Sequence, residues 1–232
     1  MKTSGNMKGQ VVLITGSSSG IGRETAYRFA EAGTKLVLTY NKGKGRGEQT
    51  ERQCRKMGAE ETLLLHLDVT DHRSIDYVLK QTLKKYGGLD FLINNAAVGF
   101  FMPFADQTFR DIEKQVRTNL EGLMKITLMF LPYIRKGIVN IASAAGKTAY
   151  EEMSVYCGTK FGVRGFTQAL AMENPSLKIY CVNPDMTATR LTGYEGRPAS
   201  EVAKVIFRTV SGAIRVSGGG DVDVWKVLNS GK

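Results

Sequence analysis

The stretch Val11-Val12-Leu13-Ile14-Thr15-Gly16-Ser17-Ser18-Ser19-Gly20-Ile21-Gly22 decides the fold. Its four leading apolar residues read as a buried strand. The run Glu24-Thr25-Ala26-Tyr27-Arg28-Phe29-Ala30 that follows reads as a helix. Strand, glycine turn and helix together make a cradle for a dinucleotide. The glycines let backbone approach a pyrophosphate, and the helix N-terminus offers free N–H groups with a partial positive charge. The spacing is G-x-x-x-G-x-G after a threonine, not the commoner G-x-G-x-x-G.

Outward from this turn the chain alternates strand and helix. Strands are expected at Val11–Thr15, Lys35–Tyr40, Thr62–Leu67, Phe91–Asn94, Gly137–Ala142, Lys178–Val182 and Val222–Trp225. Several are continuous apolar runs, as strands covered on both faces of a parallel sheet require. Asp71 is placed to cap a helix reaching about Tyr86, and further helices are expected at Val155–Met172 and Ala199–Val210. A long helix is expected over Thr108–Pro132, where Ile112, Val116, Leu120, Leu123, Leu128 and Leu131 recur at three- and four-residue spacing. The glycine- and lysine-rich segment 41–47 reads as a flexible turn. The pattern predicts an α/β fold: a single-domain, Rossmann-like, doubly wound parallel sheet of about seven strands with helices on both faces.

Composition fits one domain spanning 1–232, with 42% hydrophobic residues for a core. The start, Met1 to Gln10, is polar, and the longest apolar run, Ile126 to Ile134, is interrupted by Thr127 and Pro132. No membrane span or signal segment is expected, and a soluble, cytoplasmic protein is. Cys54, Cys157 and Cys181 lack metal-type spacing and read as reduced thiols, and His66 and His72 do not suggest a metal site. The net charge of +10 suits either an anionic partner or a basic surface with one functional hot spot. Basic residues concentrate at Lys35, Lys42, Lys44, Arg46, Arg52, Arg55 and Lys56.

Tyr156 and Lys160, four residues apart on a predicted helix, share one face. Such a pair is either an ordinary surface pair or an acid–base device. A phenol titrates near pH 10, and a neighbouring ammonium favours its ionised form. Ser143 follows a strand, where open α/β sheets place their sites, and either holds a substrate oxygen or caps its own loop. Asn119, beside the apolar face of the long helix, is either a helix tie or the holder of a relay water. Asp68-Val69, Asn94-Asn95-Ala96-Ala97 and Asn183-Pro184-Asp185 close three more strands on the same sheet edge.

Thr15–Gly22, Asp68, Asn94–Ala96, Asn119, Ser143, Tyr156, Lys160 and Pro184 occur in the order and approximate spacing of the short-chain dehydrogenase/reductase family. The resemblance covers about Lys8 to Trp225. It implies an enzyme with Tyr156 as general acid/base, Lys160 as its pKa modulator and ribose ligand, Ser143 as orienter of the substrate oxygen, and Asn119 as holder of a relay water. It implies a pyrophosphate turn of Gly16, Ser18, Ser19, Gly20, Ile21 and Gly22, adenine contacts from Asp68 and Val69, and a cofactor wall of Asn95 and Ala96. Pro184, Thr187 and Thr189 would border the nicotinamide amide, and a homodimer or homotetramer is implied. The sequence departs from the pattern at Ala97 and Asp185, where the family usually has glycine. It also departs in its short substrate loop at about 186–198. Asp185 is expected to alter the nicotinamide mouth or repel acidic substrates.

The second strand ends Tyr40-Asn41-Lys42 without an acid. An acid there would bind a ribose 2′-hydroxyl, whereas Lys42, with Lys44 and Arg46 nearby, suits a 2′-phosphate. NADP(H) is therefore expected over NAD(H), although Ser19 stands where a second basic signal often lies. The expected activity is hydride transfer between a small-molecule carbonyl (ketone or aldehyde) and an alcohol. Phe100, Phe101, Met102, Phe104, Met153 and Tyr194 are candidates for an apolar pocket, or for core or interface. The rival readings are a non-catalytic NAD(P)-binding regulator or scaffold, a nucleic-acid binder, and a sugar-nucleotide epimerase or dehydratase. Ser143, Tyr156 and Lys160 together disfavour the first. The missing interleaved aromatics disfavour the second, so no nucleic-acid partner is expected, and the missing larger C-terminal substrate domain disfavours the third.

Overall fold

The computed structural model describes residues 6–230. Residues 1–5 and 231–232 of the expected single domain, and with them the first half of the polar start, lie outside the described residues. Seven strands run parallel: β1 (Val11–Ile14), β2 (Lys35–Tyr40), β3 (Glu61–His66), β4 (Leu89–Asn94), β5 (Ile134–Ile141), β6 (Lys178–Asn183) and an edge strand, Asp221–Asp223. A two-residue ladder pairs β7 (Thr187–Ala188) with β8 (Arg197–Pro198), so the edge strand is β9. The sheet order is β3-β2-β1-β4-β5-β6-β9. The order reverses between β1 and β4, and that is where a crevice opens beyond the strand ends.

The strand residues split by period two between two cores. Val12 and Ile14, with Leu36, Leu38 and Ile93, pack under α1 (Gly20–Glu31), α2 (Lys44–Lys56) and α7 (Ala199–Val210). Val11 and Leu13, with Val37, Leu92 and Ile138, pack under α3 (His72–Tyr86), α5 (Gly122–Phe130) and α6 (Ser154–Glu173). This two-sided burial explains the unbroken apolar runs. Asp71 caps α3 as expected, accepting from the Arg73 N–H at 3.0 Å.

Three expectations are corrected. Segment 41–47 is not all turn, because α2 begins at Lys44, and Gly47 packs where an added Cβ would lie 3.2 Å from the Tyr40 ring. The long helix is broken into α4 (Phe109–Val116), a π-helical turn (Arg117–Glu121) and α5. The π turn advances the helix register. The buried stripe then becomes Leu123, Ile126 and Phe130, and the expected core residue Leu128 is exposed. The last strand stops at Asp223, and α8 (Val224–Asn229) follows. Val224, Val227 and Leu228 recur at three- and four-residue spacing and pack onto the α1/α7 side.

Phe29 is fully buried and meets Phe207 edge-on at 5.2 Å between ring centroids. Phe29→Ala is expected to lose about 3–5 kcal/mol of stability. Tyr77→Ala, on an exposed face, is expected to stay within about 0.5 kcal/mol of the parent. Denaturant melts of both variants check this, and equal losses would contradict the assigned core.

Candidate active site

The crevice at the β1/β4 switch point is a cleft of about 1160 Å³. Its walls are the C-terminal ends of β1, β2, β4, β5 and β6 with the loops that follow them. Thr15 ties the two switch-point strands together. Its hydroxyl oxygen accepts the backbone N–H groups of Asn95 and Ala96, both at 2.9 Å, and the Asn95 amide donates to Thr15 O at 2.8 Å. Gly16 then turns with φ +67°. A Cβ at Gly22 would lie 2.5 Å from both the Gly16 carbonyl oxygen and the Asn95 amide nitrogen, so only hydrogen fits there.

The start of α1 faces this cleft with unspent donors. Ser19 stands at its N-cap without a side-chain capping bond, and no acid occupies the first turn. Ser18, Ser19, Gly20 and Ile21 line the cleft. A helix N-terminus of this kind attracts an anion. The glycine cradle and its free amides therefore fit the pyrophosphate of a dinucleotide. Lys42 and Arg46 line the adjoining end, where the Arg46 guanidinium donates to Lys42 O at 2.9 Å. Asp68, the nearby carboxylate, accepts from Thr70 N and Thr70 Oγ1 at 2.9 and 2.7 Å.

At the other end of the cleft, α6 places Tyr156 and Lys160 one turn apart. Both are buried, at 8% and 3% exposure. The Lys160 ammonium lies 5.6 Å from the Tyr156 ring centroid and donates to Ile141 O at 2.9 Å. Ser143 opens a short turn, Ala144–Gly146, and its Oγ accepts the Ala145 N–H at 3.1 Å. The hydroxyl thus caps its own loop and also stands within hydrogen-bonding reach of the Tyr156 phenol. Phe101 covers the phenol edge-on at 5.4 Å, and Met153 and Leu191 pack beside it. Glu152, just before this wall, is held at φ +61°, and its carbonyl accepts the Met102 N–H at 3.0 Å. The strained residue ties the Tyr156 loop to the Phe101 loop.

Burial dominates the electrostatics of the pair. It pushes the Tyr156 phenol up to about 12, although Ser143 works in the opposite sense. It pulls Lys160 down to about 8. The phenol therefore stands above its ordinary value, not below it as expected, because desolvation dominates and only Ser143 opposes it. At neutral pH the phenol keeps its proton, which suits it to donate.

Most of the expected site residues line this one cleft, including Gly16, Asn41, Val69, Asn95, Ala96, Pro184, Thr187 and Thr189. Gly22, Tyr40 and Asn119 stand behind its wall. Tyr40 packs edge-on against His66 at 5.6 Å. Asn119, in the π turn, accepts from Val98 N at 2.8 Å and donates to Val98 O at 2.8 Å and Thr159 Oγ1 at 3.2 Å. Both of its N–H donors are spent inside the protein, so its side chain serves as the tie between helix and loop. Of the apolar candidates, Phe100, Phe101 and Met153 line the cleft, whereas Phe104 and Tyr194 are exposed. Ala97 needs no positive φ, so its methyl group introduces no backbone strain. Asp185 is not a free repelling charge. Arg197 grips its carboxylate with two contacts of 2.8 Å and also binds Glu201 at 2.9 Å, pinning the substrate loop. Arg110, Lys114 and Arg117 also line the cleft and were missed. Their spacing places them on one face of α4 and the π turn, which was the available signal.

A family model described as short chain dehydrogenase matches residues 10–199. The chain belongs to the short-chain dehydrogenase family. It is an oxidoreductase of the kind that acts on CH–OH groups. An uncharacterized oxidoreductase of Staphylococcus saprophyticus is 34% identical over 203 residues, covering 82% of this chain and 78% of that one. An NADP-dependent 3-hydroxy acid dehydrogenase of Schizosaccharomyces pombe is 34% identical over 194 residues, covering 80% and 74%. The crystal structure of levodione reductase superposes with a TM-score of 0.86 at 26% identity, covering 93% of this chain and 96% of that one. Among the described residues no helix is long and apolar enough to cross a membrane, and no group of three His, Cys, Asp or Glu side chains is placed to hold a metal.

The Lys160 shift has a sign that can be tested. Its pKa falls from 10.5 to about 8 on folding, so charging it opposes folding. The penalty is complete below about pH 8 and disappears as pH rises toward 10.5. Lys160→Met is expected to raise stability at pH 7 by roughly 1–3 kcal/mol, with the gain shrinking toward pH 10. Melts of both proteins across that range check it. A variant less stable at pH 7 would show that the buried ammonium is a net stabiliser.

Proposed function

We propose that this family member is an NADP(H)-dependent oxidoreductase that interconverts an apolar, small-molecule carbonyl compound and its alcohol. One observation carries the reading: Ser143, Tyr156 and Lys160 converge at one end of a cleft whose other end is a dinucleotide cradle bordered by Lys42 and Arg46.

When bound, the nicotinamide cofactor supplies or accepts the hydride. The chain does the rest. Gly16, Ser18, Ser19, Gly20 and Ile21 hold the pyrophosphate on backbone N–H groups, with Asp68 and Val69 beside the adenine and Asn95 and Ala96 as a wall. Pro184, Thr187 and Thr189 border the nicotinamide amide. The Ser143 hydroxyl holds the carbonyl oxygen of the substrate, and Tyr156 delivers its own proton to that oxygen as the carbonyl carbon is reduced. In the reverse direction the phenolate takes the alcohol proton. Lys160 stabilises that phenolate, an effect that grows as the phenol ionises. Asn119 acts from behind, fixing the loop at Val98 against α6. Phe101, Met153 and Leu191 make an apolar wall over the reacting carbonyl. We further propose a single dinucleotide-binding domain closed by the loop at 186–198, working in the cytoplasm as a homodimer or homotetramer.

Lys42, Arg46 and the absence of an acid at the end of β2 support NADP(H). The relative from Schizosaccharomyces pombe, NADP-dependent by name, points the same way. Tyr156→Phe is expected to cut carbonyl reduction by roughly 10²–10⁴-fold while NADPH binding changes little. Turnover assays beside NADPH fluorescence titration check this, and retained turnover would remove Tyr156 from its role. The double variant Lys42→Ala, Arg46→Ala is expected to weaken NADPH roughly 10–100-fold and leave NADH unchanged, since two charge-assisted contacts are lost. An unaltered preference would assign the 2′-phosphate to other residues.

A further inference from the structure

We propose that Arg164 is a positioning residue, which holds the Ser143 turn in register by anchoring it to the C-terminal edge strand. The functional part of this inference rests on the reading above. Arg164 lies on α6 one turn beyond Lys160, so Tyr156, Lys160 and Arg164 follow one another along one face. Its guanidinium is forked between two partners. One nitrogen donates to the Gly146 carbonyl at 2.7 Å, at the end of the turn that Ser143 begins. The other two grip the Asp221 carboxylate of β9, Nε at 2.9 Å.

A second cation repeats the arrangement. Lys147, the residue after the turn, donates to both oxygens of Asp223 at 2.9 and 2.8 Å. Buried Asn183 bridges the two carboxylates, donating to Asp221 at 3.0 Å and to Asp223 at 2.9 Å. Asp221 and Asp223 are two residues apart on a strand, so their side chains share one face. Arg164 and Lys147 each face a carboxylate, and exposed Lys226 adds a further contact to Asp223 at 3.1 Å. Burial alone would raise the Asp221 carboxyl, yet Arg164, Asn183 and Lys147 hold it down at about 2.

The turn is also seated on α6, where Ala145 packs with Tyr156 and Cys157. Ala144 N–H donates to Pro184 O at 2.7 Å, and Gly146 packs so closely that an added Cβ would lie 2.7 Å from Lys160 O. The turn is therefore pressed on the backbone of the helix that carries the phenol and is fixed laterally by Arg164 and Lys147. Removing the fork frees the Gly146 end and lets the Ser143 hydroxyl drift from the oxygen it must hold. A shift of about 1 Å at a reacting centre costs up to ~100-fold in rate.

The test uses the full chain with Arg164→Met, Arg164→Lys and Asp221→Asn. Hydrogen exchange of the peptide covering 143–148 is read by mass spectrometry, and phenanthrenequinone reduction by NADPH is assayed alongside. Arg164→Met is expected to speed exchange in 143–148 while peptides of the glycine turn at 15–22 are unchanged. It is expected to lower kcat by ~10–100-fold with NADPH affinity kept. Arg164→Lys, which keeps the positive charge and an N–H donor group, is expected to recover part of both. If Arg164→Met does not fold, Arg164→Lys and Asp221→Asn are read instead, and each is expected to fall between wild type and full loss. Unchanged exchange in 143–148, or a loss in which NADPH affinity and kcat fall together, overturns the proposal. If wild type reduces no probe, the enzymatic reading fails on its own, and the exchange data still decide the anchoring.

Discussion

The structure depends on the reversal of strand order between β1 and β4. Helices on opposite faces diverge there, and the strand ends are left open to a ligand. The Thr15 hydroxyl governs that opening, since it takes the backbone N–H groups of Asn95 and Ala96. One short side chain thereby fixes the distance between the glycine turn and the loop after β4. Gly22 then brings α1 down onto the same pair of strands, where even a methyl group would collide. The cradle is thus a consequence of backbone packing at the switch point.

In the proposed mechanism, function is set against stability. Tyr156 and Lys160 are both buried at the cleft, and burial shifts both toward their neutral forms. A folding-optimised chain would place apolar residues at such positions. The same burial keeps the phenol protonated and ready to donate. Arg164, Lys147, Asp221 and Asp223 solve a related problem differently. They are partly buried too, but each cation faces a carboxylate at hydrogen-bonding distance, so their charges compensate one another locally.

Charged and apolar character are divided along the cleft. Lys42, Arg46 and the uncapped helix starts give one end a positive character, with the Asp68 carboxylate beside them held by Thr70. Phe101, Met153 and Leu191 give the other end an apolar wall. Asp185 looks from sequence like a charge in the substrate mouth. The fold spends it on Arg197, so it stiffens the β7–β8 loop instead of repelling ligands.

Sequence by itself determined the strand–helix alternation, the glycine turn, the α3 cap at Asp71 and the candidates Ser143, Tyr156 and Lys160. These are local signals, carried by periodicity, by turn chemistry and by the four-residue spacing of one helix face. What it did not determine were properties that depend on distant segments. The π turn at Arg117–Glu121 shifts the register of a helix whose apolar spacing reads as continuous, which moves Leu128 outward and makes Asn119 a tie to Val98 and Thr159. The start of α2 at Lys44 is hidden by glycines that weaken any helix signal, and tertiary contact between Gly47 and Tyr40 settles it. The direction of the Tyr156 shift depends on how much solvent the fold excludes, and the partner of Asp185 lies on a strand twelve residues away. Only the tertiary structure brings such groups together, because burial and ion pairing are properties of spatial neighbours, and sequence spacing fixes neighbours only within a helix or a turn.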